Sequence, residues 1–137
     1  EVVLRTTSSR PEPIEPLFTG EDVLRFQSTV REVPVATEIA EYAVRLSQAT
    51  RPGREEAPDF VNQWVGWGAG TRASQTLVLC AKARALMQGR SHVQTEDIVA
   101  LAHASLRHRV LPTYRAEAEG ITIEQIIDRL LETVPRP

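Results

Sequence analysis

The chain has 137 residues, enough for one domain with a modest hydrophobic core. Hydrophobic residues make up 42% and charged residues 25%, an ordinary balance for a globular protein in water. The formal net charge of −2 provides no overall basic field, which argues against nucleic acid binding. No apolar run approaches the roughly 20 residues that a membrane helix needs, so no membrane contact is expected.

Residues that could bind metal are few and dispersed. Cys80 is the single cysteine, so no internal disulfide can form, and a reducing, cytoplasmic location is expected. It lies in an apolar helical run, which favours a small buried side chain over a reactive thiol. His103 and His108 are five residues apart and would lie on different faces of a helix. We therefore predict no metal site.

The N-terminal segment has the composition of a connector. Residues 1–19 hold three of the nine prolines, and proline fixes φ and disfavours a helical conformation in the preceding residue. An extended connector is therefore expected here. The start of the sequence indicates a fragment of a longer protein. Residues 20–137 are predicted to form one helical domain.

Two amphipathic helices are predicted at the start of this domain. Apolar residues at helical spacing indicate a helix over residues 20–31 and a second over 37–51. An ordered loop with one helical turn is expected over residues 52–70. Its two tryptophans, Trp64 and Trp67, are interpreted as packing anchors rather than as platforms for a ligand.

Three further helices complete the prediction. The third, over residues 72–88, is apolar on most sides and should lie in the middle of the bundle, capped by Thr71 and ended by Gly89 in the left-handed conformation. Thr95 is predicted to cap the fourth helix, and Thr122 to begin the last with a capping box. The residues predicted to form the core are Ile39, Leu46, Leu77, Cys80, Met87, Ile98 and Leu101.

Strand signals are weak throughout the sequence. Short β-pairing is indicated only around residues 61–65 or 92–93, and nothing else alternates with period two. The predicted fold is therefore all-α, a small bundle of four to five helices.

The most informative motif is GWGAGTRAS at residues 66–74. Its glycines, Gly66, Gly68 and Gly70, are interpreted as positions of positive φ or of close approach by another group. Arg72 follows in the first helical turn, beside free N–H groups and the positive end of the helix dipole. A guanidinium in that setting suits an anion, above all a phosphate. We expect the chain to contact a nucleotide without being able to bind one alone.

Arg72, and separately the pair Arg107 and Arg109, each allow two interpretations. Arg72 could instead pair with Glu96 or Asp97 inside the domain. Arg107 and Arg109 lie at a predicted helix C-terminus, where they could complement the dipole and cap carbonyls. The other interpretation of this pair is an interface with a neighbouring domain or subunit.

Catalytic motifs are missing from the sequence. No G-x-x-x-x-G-K-[ST] loop, paired acids for magnesium, H-E-x-x-H or G-x-S-x-G is present. We expect no catalysis by this chain alone. DNA binding through Arg107, Arg109 and Arg115 is disfavoured by the net charge and by the lack of a basic helix face.

Six segments together resemble the C-terminal lid, with its preceding connector, of MoxR-type AAA+ ATPases. They cover nearly the whole chain, and their combination is more specific than any one of them. The segments are TTSSRPEPIEPLFTGEDVLRFQSTVREVPVA at 6–36, ATR at 49–51, WGAGTRASQ at 67–75, AKARALMQGR at 81–90, DIVALAHASLRHRV at 97–110 and AEAEGITIEQIIDRLLETVP at 116–135.

The resemblance implies a role for Arg72. The family's GA-x-P-R-A motif carries the sensor 2 arginine, and that arginine falls on Arg72, with Gly68, Gly70 and Thr71 as its supporting loop. Thr71 stands where the family usually has proline, and both residues suit a helix start. The longer protein would bind ATP and Mg²⁺ between lid and core, with Arg72 contacting the β- and γ-phosphates. This fragment lacks the core and should hold no nucleotide tightly.

The resemblance also implies partners. They are the missing AAA+ core domain, neighbouring subunits of a hexameric ring, and client proteins, some with von Willebrand A domains, which the ring remodels in a chaperone-like manner. The alternative is a free-standing helical adaptor that binds only proteins. An adaptor would explain the helical bundle but not the Gly-rich loop before Arg72.

Overall fold

The computed structural model describes Val3, Thr7 and residues 15–137. Most of the predicted connector at residues 1–19 therefore lies outside the described residues. Its last part, residues 15–19, is exposed and belongs to no helix or strand.

Helices dominate the part of the chain that the structure describes. Seven are found between residues 15 and 137, together with one two-stranded antiparallel sheet. They are α1 (Gly20–Glu32), α2 (Thr37–Ala49), α3 (Asp59–Trp64), α4 (Thr71–Met87), α5 (Thr95–Leu106), α6 (Tyr114–Ala118) and α7 (Ile123–Thr133), with strands β1 (Val65–Trp67) and β2 (Leu111–Pro112). The predicted all-α bundle is confirmed: its five helices are present, α3 is the helical turn expected within residues 52–70, and α6 is a short addition.

The strand pair differs from the prediction. Val65 lies opposite Pro112, and Trp67 lies opposite Leu111. Residues 92–93 take no part in it. The alternative at 61–65 is met at Val65, where β1 begins, and the alternative at 92–93 is wrong. The partner strand was missed because it follows α5, far along the chain, where no local pattern indicates it.

Two helix starts follow the expected capping chemistry. The Thr19 hydroxyl accepts from the Asp22 N–H, while the Asp22 carboxylate accepts from the Thr19 N–H at 2.9 Å. The predicted capping box of α7 is confirmed by the same reciprocal bonds between Thr122 and Gln125. Such boxes satisfy N–H groups that have no partner within the helix.

Two predicted caps are wrong by one residue. Thr71 and Thr95 are the first helical residues of α4 and α5, and the N-cap positions belong to Gly70 and Gln94. Both of these residues are extended, so each helix begins immediately after them. The Asp97 carboxylate accepts from the Gln94 N–H at 2.9 Å, so the side-chain contact at this helix start comes from Asp97 and not from Thr95.

The core surrounds α4, as its apolar sequence predicts. This helix packs against α1, α2 and α5 and buries Leu77 together with Ala81 and Ala85 on one stripe. The predicted core residues Leu46, Leu77 and Ile98 are fully buried, whereas Ile39, Cys80 and Leu101 are partly buried. The prediction that Met87 lies in the core is wrong. Its side chain is 88% exposed, and Ala85 occupies the inward position of the last turn.

The two tryptophans have different environments. Trp64 is partly buried, and its indole N–H donates to Glu119 at 3.0 Å. The Arg129 guanidinium lies 4.8 Å from the Phe60 ring and 5.1 Å from the Trp64 ring, distances typical of cation–π contacts. Trp64 is therefore a packing anchor. Trp67 is 71% exposed, so the same interpretation is wrong for it.

Candidate functional site

The Gly-rich loop between β1 and α4 is fixed to the end of α2. The Ala69 N–H donates to the Thr50 hydroxyl at 2.8 Å, and the Ala69 carbonyl accepts from Arg51 Nε at 2.7 Å. The Thr50 hydroxyl is fully buried and donates in turn to the Ser47 carbonyl at 2.7 Å. Both backbone polar groups of Ala69 are thus paired with consecutive residues of another segment.

Gly68 is the glycine of this loop that its surroundings require. A Cβ atom there would lie 2.3 Å from the Thr50 carbonyl oxygen, far inside van der Waals contact. Gly70 has no such neighbour, and the nearest atom to a Cβ at Gly66 would be 3.6 Å away. Close approach is confirmed at Gly68, but the expected positive φ is wrong for all three glycines. Gly89, with φ of 70°, has the predicted left-handed conformation.

Arg72 is exposed in the first turn of α4. Among residues 15–137 its side chain has neither an ion pair nor a hydrogen bond. The alternative pairing with Glu96 or Asp97 is therefore wrong. Its backbone carbonyl accepts from the Thr76 hydroxyl at 2.7 Å, so the backbone is held while the guanidinium faces solvent.

The charge at this helix start is unusual within the described part of the chain. Each of the other six helices has an acidic residue in its first turn, as the helix dipole favours. The first turn of α4 has no acid, no side-chain cap and a cation, Arg72. The dipole and the guanidinium both attract an anion and neither is neutralised locally, so the chemistry fits a phosphate group.

The opposite end of α4 contains a cluster that we did not predict. Asp97 is buried at the start of α5, and Arg90 donates to its two oxygens at 2.6 and 2.8 Å. Arg84 Nε lies 3.2 Å from the same carboxylate. The hydrogen bonds from Arg90 outweigh burial and lower the pKa of Asp97. The available signal was an arginine after the left-handed Gly89, followed by an acid in the next helix start.

Arg107 and Arg109 cap carbonyls at the end of α5. Arg107 Nε donates to the His103 carbonyl at 3.2 Å, and Arg109 Nη1 donates to the Ser105 carbonyl at 2.5 Å. These contacts match the first of our two interpretations. A role for either arginine in an interface stays a prediction.

Other types of site have little support among the described residues. Within that part of the chain, no three His, Cys, Asp or Glu side chains are grouped so that they could hold a metal ion. None of the helices described is both long and apolar enough to cross a membrane. Cys80 is a free, partly buried thiol.

Comparison with known proteins agrees with this arrangement of helices. The family model for the AAA lid domain matches residues 60–130, which include β1, the Gly-rich loop and α4. The chain belongs to the AAA lid domain family. This lid is 35% identical over its full length to Chaperone MoxR1 of Mycobacterium tuberculosis. It is also 33% identical to Uncharacterized protein YeaC of Bacillus subtilis, over 134 residues that make up 98% of the lid.

A solved structure has the same fold. The crystal structure of a candidate ATPase from Cytophaga hutchinsonii matches 98% of the lid with a TM-score of 0.83 and 32% sequence identity. The lid covers 41% of that chain, 36% of Chaperone MoxR1 and 39% of YeaC. The resemblance to the lid of MoxR-type AAA+ ATPases is thereby confirmed.

Proposed function

We propose that this lid supplies the sensor 2 arginine, Arg72, to an ATP site formed with an AAA+ core domain of a longer protein. The observation that carries the proposal is that Arg72, in the first turn of the central helix, is exposed and has no ion pair among residues 15–137. The loop directly before this helix is hydrogen-bonded to the end of α2. A cation that contributes no ion pair to the fold is available for a ligand.

The physical role of Arg72 follows from where charge develops during phosphoryl transfer. Negative charge spreads over the oxygens of the terminal phosphoryl group, and preorganised cations stabilise it. Arg72 would contact the β- and γ-phosphates, while the phosphate-binding loop and Mg²⁺ would belong to the core. Loss of that contact after hydrolysis would let the lid rotate against the core.

The unburied face of α1 supports the presence of a domain partner. None of the residues of α1 is buried, and large apolar side chains on it and just before it are exposed. A groove of about 620 Å³ separates α1, α2 and α4, and it reaches Ser74 and Gln75, within one turn of Arg72. A core domain bound at this groove could cover the exposed apolar side chains of α1 and also contact Arg72. The exposed apolar residues are Leu17, Phe18, Val23, Leu24 and Phe26.

The proposal extends to assembly and clients. We expect the longer protein to form a hexameric ring in which lid rotation passes to neighbouring subunits and remodels client proteins, including ones with von Willebrand A domains. Arg107 and Arg109 are candidates for the contacts between subunits. A cytoplasmic location is part of the same proposal.

The decisive experiment is Arg72→Ala in the full-length protein. ATP turnover should fall roughly 10²- to 10³-fold, as on loss of comparable electrostatic contacts, and Arg72→Lys should restore only part of it because lysine lacks the planar fork. Arg54→Ala removes another exposed arginine and is the matched control, with unchanged turnover expected. Normal turnover in Arg72→Ala, combined with a lowered melting temperature, would favour a purely structural arginine and the adaptor interpretation.

A further inference from the structure

We propose that Thr50 and Arg51, at the end of α2, are positioning residues for Arg72. This inference rests on the proposed function, since it concerns how the sensor arginine is held. Neither residue would contact the nucleotide. Together they would set the place of the loop from which α4 and Arg72 start.

The contacts converge on two consecutive loop residues. Thr50 accepts from the Ala69 N–H at 2.8 Å, Arg51 donates to the Ala69 carbonyl at 2.7 Å, and Gly68 lies directly against the Thr50 carbonyl. The next residue, Gly70, has an open position where a Cβ atom would meet nothing within 4 Å. The Gly70 carbonyl accepts from the Ala73 N–H at 2.9 Å, within the first turn of α4. Ala69 is therefore the last residue before α4 whose backbone is hydrogen-bonded to the end of α2.

The Thr50 hydroxyl has a fixed orientation. It donates to the Ser47 carbonyl at 2.7 Å while accepting from the Ala69 N–H, so both of its hydrogen-bonding roles are used. Valine has nearly the same shape but would leave the Ala69 N–H without its acceptor, and serine would keep both bonds.

Arg51 uses its charge in an uncommon way. Among residues 15–137 it has no carboxylate partner, and the hydrogen bond of its guanidinium goes to the backbone carbonyl of Ala69. Such charge-assisted bonds are about twice as strong as neutral ones. Within the described residues, the guanidinium of this half-buried arginine bonds only to the Gly-rich loop. A role in positioning that loop explains this better than surface ion pairing does.

The test is a double-mutant cycle in the full-length ATPase. Arg51→Gln should lower kcat for ATP about tenfold or more, because small displacements of a catalytic contact are costly. If Arg51 acts through Arg72, adding Arg51→Gln to Arg72→Ala should change kcat less than twofold. Thr50→Val should lower kcat as well, whereas Thr50→Ser should retain it, and Arg54→Gln is the control.

The outcomes separate this inference from the proposed function. Equal losses from Arg51→Gln with and without Arg72 would overturn the positioning role while leaving the sensor role of Arg72 intact. Normal turnover in Arg72→Ala would overturn both. Should Thr50→Val fail to fold, the Arg51 cycle still decides.

A second measurement needs only this lid. Amide hydrogen exchange should speed up at Ala69 and the following loop in Arg51→Gln, while amides of the Asp97 cluster stay protected. A uniform acceleration throughout the lid would mean that Arg51 supports global stability, and would overturn the inference.

Discussion

The two ends of α4 hold arginines in opposite situations. At the C-terminal end, Arg84 and Arg90 surround the buried carboxylate of Asp97. At the N-terminal end, Arg72 projects into solvent with no ion pair among the described residues, on the unfavourable side of the helix dipole. The two ends belong to one helix in one core, and they differ in whether the charge is paired.

This difference separates residues that stabilise the lid from residues available to a partner. Folding pairs the charges at the Asp97 end, where two partly exposed arginines compensate one buried carboxylate. The cation at the Arg72 end has no ion pair among the described residues, so it adds nothing to the free energy of unfolding. The comparison predicts that substitutions at the two ends have effects of different size and, for Arg72, of opposite sign.

The largest effect is expected from Asp97→Ala in the isolated lid. The substitution removes the hydrogen bonds from Arg90 and from the Gln94 N–H, each worth about 1.5–3 kcal/mol when one partner is charged, and denaturant melts would show their combined loss. Glu96→Ala, at the exposed neighbouring position, should stay within about 0.5 kcal/mol of the wild type. Equal effects at the two positions would contradict the stabilising role of the cluster.

The same pair of proteins gives a pH test. Since the pKa of Asp97 is lowered in the folded state, its contribution is present above the ordinary value of 3.8 and is lost as pH falls through the lowered value. The difference in unfolding free energy between wild type and Asp97→Ala should be constant near neutral pH. It should shrink below about pH 4.

An intermediate effect is expected from Gly68→Ala. The added Cβ would meet the Thr50 carbonyl oxygen and force the loop away from α2, at a cost of roughly 1–3 kcal/mol. Gly70→Ala is the matched control, because its Cβ position is open and its φ of −83° suits alanine. Thermal melts that rank the two variants equally would show that the loop is not clamped.

The smallest effect is expected from Arg72→Gln in the isolated lid. Removing a cation from a helix N-terminus should leave the free energy of unfolding unchanged or raise it by roughly a few tenths of a kcal/mol at low salt. Any stabilisation should disappear as salt screens the dipole. A clear loss of stability would place Arg72 with Arg90 among the residues that hold the fold.

Local signals explain what the sequence predicted well. The close approach at Gly68 and the place of Arg72 in the first turn of α4 both follow from about nine consecutive residues. The capping box at Thr122 and the left-handed Gly89 are likewise local, and the structure confirms both. These features depend on backbone chemistry within one or two turns.

Features that depend on distant contacts were missed. Asp97 pairs with Arg90 across the turn between two helices, and Trp67 lies opposite Leu111 in the strand pair, although α4 and α5 separate them in the sequence. The inward side of α4 was ambiguous because the helix is apolar on most sides, which is why Met87 was misplaced. The clamp of Ala69 by Thr50 and Arg51 left no local pattern at all, because hydrogen bonds to backbone atoms do not depend on the identity of the residue that they hold.

The central position of α4 has a mechanical consequence. Its 17 residues span roughly 25 Å. At one end the preceding loop is hydrogen-bonded to Thr50, and at the other end Arg90 is paired with Asp97 of α5. A pull on Arg72 cannot bend this helix alone without breaking contacts to three neighbours. A force on Arg72 would therefore be distributed over the whole bundle, and under the proposed function the lid would move against the core as a rigid body.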